Sequence, residues 1–174
     1  MKYDYIIVGA GSAGCVIANR LSEDPSTQVL LIEAGGSDRR FFIQMPIGYG
    51  VTYHQKAVNW MYMTEPSPDA DNKPSYWPRG KVMGGSSSIN AMVYVRGNSR
   101  DFDQWSEAGN PGWSYSDVLP YFKKMESWQN GPDDYRGGDG PLNVSEVSRQ
   151  LHPLCQNFLS AAQEIGIGLN KDMN

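Results

Sequence analysis

The chain has 174 residues, with 15 Lys plus Arg against 19 Asp plus Glu and a net charge of −4. That length suits one domain with a real core, and the mild acidity excludes the positive field that a nucleic acid or an anionic membrane surface needs. The two cysteines, Cys15 and Cys155, make no disulfide framework and no metal-ligand spacing with His54 or His152.

Met1-Lys2-Tyr3-Asp4 runs straight into Tyr5-Ile6-Ile7-Val8, an apolar run without polar alternation. It reads as a strand buried on both faces of a parallel sheet. No signal peptide is expected before it, and no apolar run reaches the ~20 residues of a membrane span. The expected setting is therefore reducing and cytoplasmic, free or peripheral at the inner membrane. Gly9 to Gly14 is a turn into a helix with Ala13, Val16, Ile17 and Leu21 on one face. Cys15 lies inside that pattern and reads as a small buried residue. Asp24-Pro25-Ser26 ends the helix, and Val29-Leu30-Leu31-Ile32 is a second buried strand closing on Glu33. Strand, glycine turn, helix and strand make a right-handed βαβ unit.

From Gly35 to about Arg79 the chain is rich in Pro, Gly, Tyr and Trp, and no long helix is expected. It is too aromatic for a disordered linker and reads as an ordered, extended excursion. A second glycine-rich stretch follows over Lys81 to Arg96. Ser116 is the expected N-cap of a helix carrying Val118, Phe122 and Met125, with Pro120 in its first turn. Gly137 to Pro141 is a turn before a short strand, Leu142-Asn143-Val144. Leu154, Phe158, Ala161, Ala162 and Ile165 mark a last helix stopped by Gly166.

Two stretches carry chemistry. In Gly9-Ala10-Gly11-Ser12-Ala13-Gly14, Gly9 permits the tight turn, Gly11 lets backbone approach a pyrophosphate, and Gly14 lets helix and strand pack closely. The helix N-terminus then offers N–H groups and partial positive charge. Glu33 lies where a carboxylate accepts hydrogen bonds from an adenosine ribose, and it disfavours a 2′-phosphate. The second stretch, Pro78-Arg79-Gly80-Lys81-Val82-Met83-Gly84-Gly85-Ser86-Ser87-Ser88-Ile89-Asn90-Ala91-Met92-Val93-Tyr94-Val95-Arg96-Gly97, sets two glycines and three hydroxyls between apolar, strand-like arms. That suits a loop clasping a large ligand rather than a Gly/Ser linker.

These residues resemble the signature of the glucose-methanol-choline oxidoreductases, as do Glu33-Ala34-Gly35, Asn59-Trp60 and Thr64-Glu65-Pro66. Within that family the chain is similar to choline dehydrogenases and to alkane-pathway alcohol dehydrogenases. The resemblance implies an α/β fold: a Rossmann-like FAD-binding βαβ unit over 1–35, an extended flavin-covering segment over 36–100, and the start of an α+β substrate domain over 101–174. It implies flavin contacts at Ser12, Ala13, Glu33, Ala34, Val82, Gly84, Gly85, Ser86, Asn90, Ala91, Met92 and Val93, beside Gly9, Gly11 and Gly14. Some members attach FAD through a histidine directly before the motif Asn. Here Ile89 stands there, so the expected FAD is non-covalent. The family's alcohol oxidation uses a late histidine as base, and neither His54 nor His152 lies in such a motif, so no catalytic residue is nominated. The expectation is a fragment of a longer enzyme acting on a small-molecule alcohol, with an unidentified electron acceptor. A stand-alone nucleotide-binding module, or a non-dehydrogenase relative such as a photodecarboxylase or lyase, is the alternative.

Overall fold

The computed structural model describes residues 2–170, 172 and 174, with the side chain of residue 149 outside that description. The chain divides into two compact units, Met1–Val93 and Tyr94–Asn174.

The first unit opens with strand β1 (Tyr5–Val8), helix α1 (Ser12–Leu21) and strand β2 (Val29–Ile32). The strands pair in parallel, Tyr5 opposite Val29 through Val8 opposite Ile32. The βαβ order is the expected one, but burial on both strand faces is not observed. Val8 is 83% exposed and Ile6 61%, because among the described residues this sheet contains two strands. A parallel pair buries its faces only when further strands and helices cover them. For the same reason Val16 and Ile17 of α1 stay exposed. Cys15 is exposed rather than buried, and its thiol lies 3.3 Å from the carbonyl of Ala10. After Leu21 the chain turns at Asp24, whose carboxylate accepts from the N–H and hydroxyl of Ser26.

The aromatic excursion is ordered without a long helix, as its composition suggested. It contains two single turns, α2 (Phe41–Gln44) and α3 (Tyr49–Thr52), with a 3-10 turn at Pro46–Gly48 between them. An antiparallel pair of two-residue strands follows, β3 (Tyr62–Met63) against β4 (Tyr76–Trp77). Its anchor is Asn59, which is 1% exposed. The Asn59 amide donates to the carbonyl of Tyr53 and the hydroxyl of Tyr76, and its oxygen accepts from the N–H groups of Met61 and Arg79. Both donors and both acceptor sites of the buried amide are thus occupied. The small core beneath is Val58, Val82 and Ile89, with Ile43 against it.

In the second unit, helix α4 (Ser99–Glu107) starts at Asn98, whose side chain accepts from the N–H of Arg100. The sequence reading had no helix there. Helix α5 (Tyr115–Met125) is capped by Ser114, not Ser116, in a reciprocal box with Asp117. The Ser-x-x-Asp spacing satisfies two orphan N–H groups at once, which Ser116 could not do. Pro120 consequently lies inside the helix rather than in its first turn, where it removes one backbone bond. Phe102 meets Phe122 edge-on at 5.7 Å and joins α4 to α5. Strand β5 (Glu126–Trp128) pairs in parallel with β6 (Leu142–Val144). Helix α6 (Pro153–Glu164) is capped by Nδ1 of His152, which accepts from the N–H of Leu154. It ends at Gly166 with φ +87°.

The centre of this unit is ionic. Glu126 is fully buried. One of its oxygens lies 2.5 Å from Arg96 Nη2 and accepts from the N–H of Gly137, and the other lies 2.8 Å from Arg136 Nη2. Arg136 lies 4.1 Å above the ring of Trp128, and Arg96 5.2 Å from that of Phe122. The aromatic faces supply cation–π attraction where water is excluded.

Candidate functional site

The two glycine-rich stretches meet in the first unit. The N–H of Gly84 donates to the carbonyl of Ala10 at 2.8 Å, and a Cβ placed on Gly85 would lie 2.8 Å from the Cα of Gly11. Val82 bridges to Gly36, the N–H of Met83 donates to the carbonyl of Gly36, and that of Lys81 donates to the carbonyl of Val58. The second stretch is therefore laid as backbone beside the end of β2 and the start of α1. Gly84 and Gly85 take φ of +89° and +58°, a region that costs other residues steric strain.

The three glycines of the first turn differ in what requires them. Gly9 has φ +96°. A Cβ on Gly14 would overlap the carbonyl oxygen of Gly9, so close packing of helix against turn demands glycine there. Gly11 has an ordinary φ of −79° as the N-cap of α1. Its Cβ would meet nothing nearer than the Cα of Gly85 at 3.9 Å. Nothing in the protein itself requires glycine at that position. Among the described residues no side chain caps α1 and no acidic residue lies in its first turn, so the N–H groups of Ser12, Ala13 and Gly14 keep their capacity for an anion.

Glu33 is half-buried and bound at both oxygens. It accepts from the N–H of Ala10 at 2.8 Å and from that of Gly35 at 2.9 Å. An ionised carboxylate offers about four lone-pair sites, so a diol can still donate to it. Glu33 thus also fastens the turn after β1 to the turn after β2, which the sequence reading missed. Ala34 is exposed. In the serine run the hydroxyls of Ser87 and Ser88 donate to the carbonyls of Gly84 and Met83. Ser86 instead accepts from the N–H of Gly80 and retains its own proton for a ligand. Val82 is wholly buried, with its side chain in the core and its carbonyl accepting from the N–H of Gly85.

Asn90 to Val93 follow without the pairing of a strand. The strand-like arm expected there is irregular because the side-chain Oδ1 of Asn90 accepts from the N–H of Met92, and Met92 takes φ +58°. Ala91 and Val93 are exposed. Beside this turn is a cleft of about 210 Å³ lined by Asp38, Phe42, Met45, Tyr49, Asn90 and Met92, among others. The contributions of α2 and α3 to it were not read from the sequence, though Phe42, Met45 and Tyr49 recur at helical spacing. Neither histidine joins either feature. His54 stacks on Tyr76 at 5.8 Å, and His152 caps α6.

Residues 3–174 match the family model described as GMC oxidoreductase. The chain belongs to that family. The chain and the oxygen-dependent choline dehydrogenase of Vibrio vulnificus are 51% identical over 173 residues, covering 99% of this chain and 31% of that protein. The mitochondrial choline dehydrogenase of Mus musculus is 49% identical over 180 residues, covering 99% and 30%. Among solved structures, pyridoxine 4-oxidase from Mesorbium loti superposes with a TM-score of 0.86 at 37% identity, covering 95% of this chain and 32% of that one. Formate oxidase of Aspergillus oryzae gives 0.83 at 32% identity, covering 98% and 32%. This GMC chain therefore spans about a third of the length of the relatives it matches. The α/β reading of the sequence and its family resemblance are both borne out.

Proposed function

We propose that the chain is the FAD-binding part of an oxidoreductase that acts on CH–OH groups, taking a small-molecule alcohol to its carbonyl and passing the electrons to a separate acceptor. The observation that carries this reading is Gly11, a glycine that neither its φ nor its neighbours require. It fits a site where a ligand's backbone-close phosphates take the room of a side chain. The free first-turn N–H groups of α1, the unspent proton of Ser86 and the remaining lone pairs of Glu33 suit a diphosphate and a ribose.

In this reading Gly9, Gly11, Ser12, Ala13, Gly14, Gly84, Gly85 and Ser86 hold the diphosphate. Glu33, with Ala34 beside it, takes the adenosine ribose, and Asn90, Ala91, Met92 and Val93 border the ring. Val82 supports the glycine loop from the core and through its carbonyl bond to Gly85. When bound, the flavin supplies the hydride acceptor. The protein's part is to orient it and to keep the irregular turn at Met92 in place. Ile89, in the position of the tethering histidine, has no nucleophile and lies in the core with Val58 and Val82, so FAD is held without a covalent bond.

Titration of the purified chain with FAD, followed by flavin fluorescence, should give saturable binding. Acid precipitation of the loaded protein should then release all yellow colour to the supernatant. Absence of saturable binding overturns the flavin reading, and flavin remaining in the pellet overturns the non-covalent one.

A further inference from the structure

Asn59 lies outside the set of residues assigned to the flavin, and the bonds of its buried side chain divide by atom. The amide nitrogen serves the interior. It donates to the carbonyl of Tyr53 at 2.8 Å and to the hydroxyl of Tyr76 at 3.1 Å, and that hydroxyl donates in turn to the same carbonyl. The amide oxygen serves the β3–β4 pair, accepting from the N–H of Met61 at 2.9 Å and from that of Arg79 at 3.0 Å.

The bond to Arg79 fills a gap in the ladder. Asn59 bridges Gly80 in the antiparallel sense, and the N–H of Trp60 donates to the carbonyl of Arg79 at 2.8 Å. Two residues opposed in this way ordinarily exchange a second bond, here from the N–H of Arg79 to the carbonyl of Trp60. Met61, at φ +57°, breaks the extended backbone at that place, and the N–H of Arg79 goes to the Asn59 side chain instead. The side chain thus stands in for a backbone carbonyl.

What this bond steadies lies one residue on. The N–H of Gly80 donates to Oγ of Ser86 at 3.1 Å, and a Cβ on Gly80 would overlap the carbonyl of Gly85. With backbone packed on backbone, a shift of Gly80 is passed by contact to Gly85, which itself lies against Gly11. The bond from Gly80 also commits a lone pair of the Ser86 hydroxyl and so directs its proton elsewhere than Gly80.

We infer that Asn59 is a positioning residue for the cofactor. Through Arg79 and Gly80 its oxygen holds the Ser86 hydroxyl and the Gly85 backbone in the geometry that receives the diphosphate. The identity of that ligand rests on the flavin reading, whereas the hold on the loop belongs to the ligand-free chain.

The experiment compares three variants with the unmodified chain by FAD titration, thermal melting and amide hydrogen exchange. Asn59→Leu removes both the oxygen and the amide. Asn59→Asp keeps an oxygen for Arg79 and loses the amide donor, and Tyr76→Phe removes only a partner of that donor. All three should melt at lower temperature. Asn59→Leu alone should also weaken FAD binding, by about tenfold, and speed exchange at Gly80 and Gly85 relative to Gly9 in the ligand-free chain. Asn59→Asp and Tyr76→Phe should keep FAD affinity within about twofold. A role confined to stability would instead lower affinity in step with melting temperature in all three. Ser86→Ala should weaken binding in the unmodified chain and add little in Asn59→Leu, since both losses run through one hydroxyl. Parental FAD affinity in Asn59→Leu overturns the inference, as does an additive loss in the double variant. If Asn59→Leu fails to melt cooperatively, Asn59→Ser decides by the same two outcomes, because its shorter hydroxyl serves the adjacent N–H of Met61 rather than that of Arg79. Failure of the unmodified chain to bind FAD sinks the flavin reading alone; unchanged exchange at Gly80 and Gly85 in the variant sinks the hold on the loop, so the two failures are told apart.

Discussion

Substituting Gly11 by alanine should separate folding from ligand binding. At φ −79° an alanine is unstrained, and the new methyl carbon meets the Cα of Gly85 at 3.9 Å, an ordinary contact. Replacing glycine at a compatible site gains about 0.4–1 kcal/mol through the unfolded chain, and alanine is a poorer N-cap by a similar amount. The two effects nearly cancel, and the melting temperature of the ligand-free protein should move by no more than about 3 °C. FAD affinity should fall, because the methyl group occupies the space nearest the first-turn N–H groups of α1. Loss of one hydrogen bond to a charged group is worth ~1.5–3 kcal/mol, which is about tenfold to a hundredfold in the dissociation constant. Thermal melting and flavin titration on the same preparation measure both quantities. Gly14→Ala is the contrast, since its Cβ overlaps the carbonyl of Gly9 and should destabilise the fold outright. Unchanged FAD affinity in Gly11→Ala would refute the argument that a ligand requires this glycine.

Glu126→Gln leaves Arg96 and Arg136 buried without their shared counter-charge and should cost about 3–5 kcal/mol; a urea midpoint unchanged from the parent would contradict this. The carboxyl of Asp133 is held below its ordinary value of 3.8 by the N–H groups of Tyr135 and then Arg136. A depressed folded value stabilises the protein at pH above 3.8, and that stability is lost as pH falls below 3.8 through the lower folded value. Asp133→Asn should flatten this acid limb of a stability-against-pH curve, and an identical limb in the variant would exclude Asp133 as its source. Finally, the chain with FAD, an artificial acceptor and a panel of alcohols should show no turnover above the free-flavin blank. His54 is stacked on Tyr76 and His152 caps α6, which leaves neither as a base poised for the typical ~10²–10⁴-fold contribution; turnover lost on substituting either histidine would reverse that.

The parts of the fold legible in the sequence are those written locally. Tyr5–Val8 and Val29–Ile32 are β-branched and apolar runs between turn residues, and α6 carries its own apolar spacing from Leu154 and its stop at Gly166. What failed depended on competition or on distance. Ser116 and Ser114 are both plausible caps, and only the reciprocal bond with Asp117 decides between them. Strand β5 pairs with a partner more than a dozen residues on, and its Glu126 reads as a surface acid until two arginines surround it. The exposure of Val8 was illegible because an apolar run reports what a segment can bury, not what covers it. At the candidate site, the roles of Gly9 and Gly14 followed from spacing. The second duty of Glu33 did not, because Ala10 becomes its neighbour only once β1 and β2 are paired.

The approach of Gly85 to Gly11 also bears on how the protein reaches its native state. Their separation in sequence, 85 − 11, is 74 residues, and closing so long a loop costs roughly 4 kcal/mol of chain entropy beyond a constant. A turn formed early by the first thirty-odd residues would therefore stay half-built until the hairpin at Tyr62 and Tyr76 had delivered the later glycines. Grafted alone onto another protein, that turn would bring the loop's N-terminal partner and nothing to close against it. A molecule spanning both glycines would act as a clamp on this long-range contact.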